Sequence, residues 1–146
     1  METLNCNHPL CVKGTDSETI AATLKKAVED GINTVVIPRY NKRTGRSQWD
    51  IEKAVVIPSG MTLILDNCTL VQAVGCYDHM FTAEKGAKGI RIQGEGNVTL
   101  SGGEGNRLQE TTAGKYGLPE ITVNTMLHFE EVTDICIDNL HIEKQR

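Results

Sequence analysis

No apolar run in this 146-residue chain reaches the ~18 residues that a membrane span requires, so no transmembrane segment is expected. Aromatic residues make up only 4% and are scattered, which leaves no surface on which bases could stack. Basic residues are not in excess. Fifteen Lys and Arg against nineteen Asp and Glu give a net charge of -4, which argues against a general nucleic-acid binder. The segment Met1 to Asn5 lacks a basic stretch followed by an apolar core, so no secretory leader is read and a cytoplasmic location is expected. Without a leader, the sequon-like triplets Asn67-Cys68-Thr69 and Asn97-Val98-Thr99 are read as coincidence. The cysteines do not follow metal-site spacing. Cys6 and Cys11 enclose His8 but have no second pair to complete a zinc site, and Cys68, Cys76 and Cys136 sit in or beside strands. They read as free thiols of a reducing compartment.

The chain does contain a recurring grammar of short strands. Ile90-Arg91-Ile92 is followed by Gly94-Glu95-Gly96 and then Val98-Thr99-Leu100. Ile135-Cys136-Ile137 is followed by Asp138-Asn139 and then Leu140-His141-Ile142. Alternation of apolar and polar residues marks half-buried strands, and the Gly- and Asn-rich breaks mark corners. Ile90 and Ile135 are about 45 positions apart, roughly two coils of a solenoid with repeats of 20–45 residues. With 39% hydrophobic residues and this length, a single domain with a substantial core is expected.

Upstream, Thr15 to Asp30 reads as a helix. Thr15 and Glu18 form a capping box, Ile20, Leu24, Ala27 and Val28 share a face, and Gly31 supplies the stop. That face is expected to cover the end of the core. Thr34 to Pro38, Ala54 to Pro58, Met61 to Leu65, Cys68 to Val71 and Met80 to Ala83 read as strands. Arg39 to Asp50 reads as an exposed polar turn or hairpin, and Gly102 to Asn124 as an inserted loop on one face.

These segments resemble a known family. Asp16 to Pro38, Ile57 to Asn67, Ile92 to Gly103 and Val132 to Leu140 look like successive coils of the pectin-lyase-like right-handed parallel β-helix proteins. The Gly-rich coil from Ile92 to Gly103 is most similar to glycoside hydrolase family 28, the polygalacturonase-like branch. The resemblance implies an all-β solenoid, a right-handed parallel β-helix with an N-terminal capping helix. Residues 1–14 would be an extension, 15–31 the cap and 32–146 the first coils, expected to be truncated at the C-terminus. It also implies a glycosidase acting on pectin-like, uronic-acid-rich polysaccharide. A polysaccharide lyase of the same fold and a non-catalytic glycan-binding β-helix are the alternatives.

The family's later acid motifs, a paired Asp-Asp and a Gly-His-Gly among them, do not occur here, so no catalytic, cofactor-binding or metal-binding residue is assigned. The chain alone is expected to be inactive and to need no cofactor. Glycoside hydrolysis needs two carboxyl groups. Glu130 with Glu131, and Asp134 with Asp138, are the pairs available, and both read as solvated rim residues. His128 should face away from Leu127 and Phe129, and Cys136 and His141 should point outward, with no third residue to orient a nucleophilic pair. Expected partners are a polysaccharide or oligosaccharide, with no nucleic acid and no membrane. Self-association through the C-terminal coil is also expected.

Overall fold

The helix forms where the capping signals place it. In the computed structural model, which describes residues 2–72, 80–102, 120–123 and 127–143, α1 spans Asp16–Glu29. Thr15 is its N-cap, and its hydroxyl accepts the Glu18 N–H at 3.2 Å. Gly31 follows the helix at φ 72. Ile20, Leu24 and Ala27 are fully buried. Val28 is not, at 55% exposure, contrary to expectation. It lies about 80° round the helix from Ile20, on the far side of the buried stripe. Among the described residues, no helix is long and apolar enough to cross a membrane.

The strands form three sheets, and nearly all neighbours run parallel. The first sheet is ordered β1 (Leu4–Asn5), β2 (Thr34–Ile37), β5 (Thr62–Asp66), β8 (Lys88–Glu95), β12 (Thr133–Asp138). The second is ordered β3 (Gln48–Ile51), β6 (Thr69–Gln72), β9 (Thr99–Ser101), β13 (His141–Glu143). The third is ordered β4 (Val55–Val56), β7 (Phe81–Thr82), β11 (Leu127–Glu130), β10 (Glu120–Val123), and only its β10–β11 pairing is antiparallel. The chain therefore visits the first, second and third sheets in turn and then returns. Helix α1 packs against β1, β2, β3 and β4, which include the first strand of every sheet.

Register places like residues over like. In the first sheet, Leu4, Val35, Leu63, Ile92 and Ile137 stand in one row. In the second, Trp49, Leu70, Leu100 and Ile142 align, and in the third, Val55, Phe81 and Leu127. These rows form the core. They are fully buried in the middle strands, whereas Ile135, Ile137, Leu140 and Ile142 are only partly buried, at the last-paired edge of the first two sheets.

Several expectations are corrected. Ile135 is the direct neighbour of Ile90, one step away and not two. The spacing is long because this one step also contains the chain between Ser101 and Leu127. The expected insertion from Gly102 to Asn124 lies mostly outside the described residues. The segment 1–14 is more than an extension: it contributes β1 and buries Cys6 and Cys11. Strand β8 runs through Gly94 to Glu95, so the corner is Gly96-Asn97.

The region from Arg39 to Asp50 is a turn closed by an Asn41–Arg46 bridge, as expected of a hairpin, but it is not wholly exposed. It ends in β3, which places Trp49 in the core with its indole N–H donating to the Pro38 carbonyl at 2.7 Å. The buried Asp16 carboxylate holds this region in place. It accepts the Asp50 N–H at 2.7 Å, the Asn41 side-chain amide at 2.9 Å and the Arg43 Nε–H at 3.0 Å. A buried carboxylate is tolerated when it is paired and hydrogen-bonded in this way.

The corner from the first sheet to the second is tied across strands. Asn67, Gly96 and Asn139 all adopt positive φ, of 48, 70 and 55. The Asn67 N–H donates to Glu95 O at 2.9 Å, and its side-chain oxygen accepts the Asn97 N–H at 3.1 Å. The Asn139 amide donates to Gly94 O at 3.1 Å and Gly96 O at 3.2 Å. A Cβ on Gly94 would fall on the Asn139 carbonyl oxygen. That overlap excludes a side chain at Gly94, although its own φ is not unusual. The sequon-like Asn67 is thus a corner residue whose side chain the fold uses.

Two stability outcomes follow from these contacts. Leu24→Asp should lower stability by about 3–5 kcal/mol, through lost burial and an unpaired charge, whereas Val28→Asp should stay within about 0.5 kcal/mol of the parent. Urea melts of the two variants measure this, and equal midpoints would remove the covering role of α1. Gly94→Ala should cost about 1–3 kcal/mol by overpacking against Asn139. The same melt checks it, with Gly14→Ala, whose Cβ would meet only the flexible Glu18 carboxylate at 4.0 Å, as the control.

Candidate functional site

Alternation along β8 and β12 sends one set of side chains inward and the other out. Ile90 and Ile92 are buried, while Arg91, Gln93 and Glu95 are exposed. Register then assembles an outer face on the first sheet. One row runs Thr62, Arg91, Cys136, beginning from a buried Thr34, and the next runs Asn5, Val36, Ile64, Gln93, Asp138. Asp66 and Glu95 stand side by side beyond them. Val36 and Ile64 are half-buried, so a strip of aliphatic surface lies among polar groups. A shallow cleft of about 130 Å³ is lined by Arg91, Ile92, Gln93, Cys136 and Asp138. The Arg91 and Gln93 side chains make no hydrogen bond or ion pair with another described residue.

The third sheet carries a different cluster. Leu127 and Phe129 are buried and His128 faces outward, as the alternation predicts. Glu130 is not a freely solvated rim residue. Its carboxylate lies 3.2 Å from Lys85 Nζ and 4.0 Å from His128 Nε2, with its side chain 21% exposed. The hydrogen bond to Glu130 raises the Lys85 pKa, with the Glu130 and Glu131 charges adding to it. The ammonium is therefore firmly charged and the carboxylate engaged. A cleft of about 310 Å³ lies beside it, lined by Val56 to Ser59 and Glu84 to Ala87. Lys85 and its cleft carry no sequence signal, since only the register of β7 and β11 brings them to Glu130.

The other residues singled out in the sequence are not brought together. Glu131 turns the chain ahead of β12 at φ 53, whereas Asp134 lies inside β12, at φ 54. Asp138 closes the same strand, ~13 Å further along by strand rise. Cys136 and His141 both point outward, but from different sheets, so they form no nucleophilic pair. Among the described residues, no three His, Cys, Asp or Glu side chains are grouped as a metal would require.

Cys6, Cys11 and Cys68 are buried and free, and Cys136 is exposed and free. Cys76 lies outside the described residues. Burial pushes the Cys6 and Cys68 thiols up to about 12, away from reactive thiolate. No protein-family model matches the chain, and no curated protein and no solved structure matches it.

The raised thiols give a pH dependence with a definite sign. In the unfolded chain these groups ionise near 9.0, while in the folded protein they stay protonated to about 12. Above pH 9 the unfolded state therefore binds fewer protons, and stability falls as pH rises from 9 toward 12. The expected slope is at most about 1.4 kcal/mol per pH unit for each thiol, with no contribution below pH 8. Melts at successive pH values check this, and Cys68→Ala should reduce the slope.

Proposed function

We propose that the three sheets form a right-handed parallel β-helix of the pectin-lyase-like kind, closed at its first turn by α1, and that the protein belongs to the carbohydrate-active proteins of that fold. The observation that carries this reading is the order of the strands. The chain passes through three parallel sheets in the same sequence on each circuit, with apolar rows in register inside. Parallel crossovers of this kind are right-handed in nearly all proteins, which supplies the hand. Within the fold, the resemblance of Ile92 to Gly103 to glycoside hydrolase family 28 favours a glycosidase acting on uronic-acid-rich polysaccharide.

The described residues take the binding part of that work. Hydrolysis requires two free carboxyl groups about 5–10 Å apart across the bond. Here Glu130 is engaged by Lys85, and Asp134 and Asp138 lie four residues apart on the same strand, ~13 Å by strand rise. The outer face of the first sheet, with its aliphatic strip and exposed Arg91 and Gln93, is the surface on which a glycan would lie. The engagement of Glu130 by Lys85 and the separation of Asp134 from Asp138 favour a non-catalytic glycan-binding role as the second reading.

Calorimetric titration of the 146-residue protein with size-matched oligosaccharides tests this. Uronate-containing sugars should bind, neutral ones should bind more weakly, and no reducing ends should appear from polygalacturonate. Absence of binding to either class would contradict the glycan reading. Release of reducing ends that Asp138→Asn abolishes would contradict the binding-only role.

A further inference from the structure

Two turns near the start of the chain lie side by side and carry exposed apolar and basic residues together. The first, His8 to Cys11, is closed by the Cys11 N–H donating to the His8 carbonyl at 2.8 Å, which puts Pro9 and Leu10 at its tip. Leu10 is 68% exposed, whereas Cys6 and Cys11 anchor the segment in the core. The second is the Asn41–Arg46 turn. Asn7 joins the two: its side-chain amide donates to the Tyr40 carbonyl at 2.7 Å, and its side-chain oxygen accepts the Lys42 N–H at 3.0 Å. Tyr40 is 52% exposed, with its hydroxyl beside Gly45. Between Arg39 and Arg46 stand four basic residues and no acidic one, in a chain of net charge -4. Arg43 is taken up by the buried Asp16 and the Gly14 carbonyl, with Glu18 on that side, and Arg46 lies 3.4 Å from Asp50. Arg39 and Lys42 are exposed and make no ion pair with another described residue. Asp66, the carboxylate that follows the β2–β5 pairing, accepts the Asn67 amide at 2.9 Å.

We propose that these two turns dock the protein reversibly on an anionic lipid surface, with Arg39 and Lys42 on the headgroups and Leu10 and Tyr40 at the boundary with the acyl chains. A surface contact of this kind needs no spanning segment, only apolar tips combined with attraction to anionic lipid. A tyrosine, with an apolar ring and a polar end, belongs at that boundary. Nucleic acid or an acidic peptide would use the two cations but not Leu10, and a single tyrosine is no platform for successive bases. The surface is set before contact. The Asn41 N–H donates to the Arg46 carbonyl and the Gly45 N–H to the Asn41 carbonyl, both at 2.8 Å, and the buried Asn41 amide donates to Asp16 at 2.9 Å. Binding therefore carries little ordering cost. Two free cations and two apolar tips make a weak contact, so loss of either kind should release the protein. The inference is independent of the glycan reading.

Co-sedimentation of the full 146-residue protein with vesicles tests this at low salt, using phosphatidylcholine alone and phosphatidylcholine with about 30% phosphatidylserine. The protein should partition onto the phosphatidylserine vesicles and much less onto the neutral ones. Each basic side chain near the surface is worth about a fivefold change, so Arg39→Gln with Lys42→Gln should lower the partition about 25-fold. Lys25→Gln with Lys88→Gln removes the same charge from exposed sites elsewhere and should have little effect. Leu10→Ser should lower the partition about three- to tenfold, and Val56→Ser, at another exposed apolar site, should not. All these positions are exposed, and urea melts matching the parent confirm that the variants fold. Equal partition onto the two kinds of vesicle, or no loss in the Arg39→Gln, Lys42→Gln variant or in Leu10→Ser, would overturn the inference. Binding of polyglutamate or a single-stranded oligonucleotide without binding of vesicles would assign the turns to a different polyanion and overturn it as well.

Discussion

The structure depends on one constraint: successive strands of the first sheet must leave it at corners that are bonded to one another. Asn67, Gly96 and Asn139 turn the chain in the left-handed conformation, and each corner shares hydrogen bonds with its neighbour. A slip of one residue in any strand would send its buried row to the outside. Because the corners are tied, the inner row from Leu4 to Ile137 and the outer rows with Arg91 and Gln93 are fixed together. The site is thus a by-product of the same register that builds the core.

A second tie operates at the other end. Asp16, in the first turn of α1, holds the region around Asn41 and Arg43 and the start of β3 through its buried carboxylate. The helix therefore does more than cover apolar surface with Ile20, Leu24 and Ala27: it also positions the strand that brings Trp49 inside. Burial and a charged network act on the same element, which is why α1 touches the first strand of every sheet.

Local features were legible in the sequence. The N-cap at Thr15, the stop at Gly31 and the alternation through Ile90-Arg91-Ile92 and Ile135-Cys136-Ile137 each rest on neighbouring residues, and each appears in the structure, although only the Thr15 hydroxyl half of the expected capping box forms. What was not legible depends on distant partners. Strand β3 has only Trp49 and Ile51 as apolar residues and is held by Asp16, more than thirty positions away. The long chain between Ser101 and Leu127 disguised a single step as two. The outward direction of Cys136 and of His128 could be read, but Arg91 and Gln93 as companions of Cys136 and Asp138, and Lys85 as the partner of Glu130, follow only from register.

The pairing of β8 with β12 is the point on which both the fold and the outer face turn, and the exposed Cys136 reports on it directly. In-register parallel neighbours place their Cα atoms about 4.8 Å apart, inside the 4.4–6.8 Å range of a disulfide. Arg91→Cys, opposite Cys136, should therefore form an intramolecular disulfide under mild oxidation, identified by peptide mapping without reduction. Gln93→Cys lies diagonally from Cys136 at about 7–8 Å and should not. Cross-linking at Arg91→Cys alone is the expected result; no cross-link there, or preferential cross-linking at Gln93→Cys, would contradict the register on which the account is built.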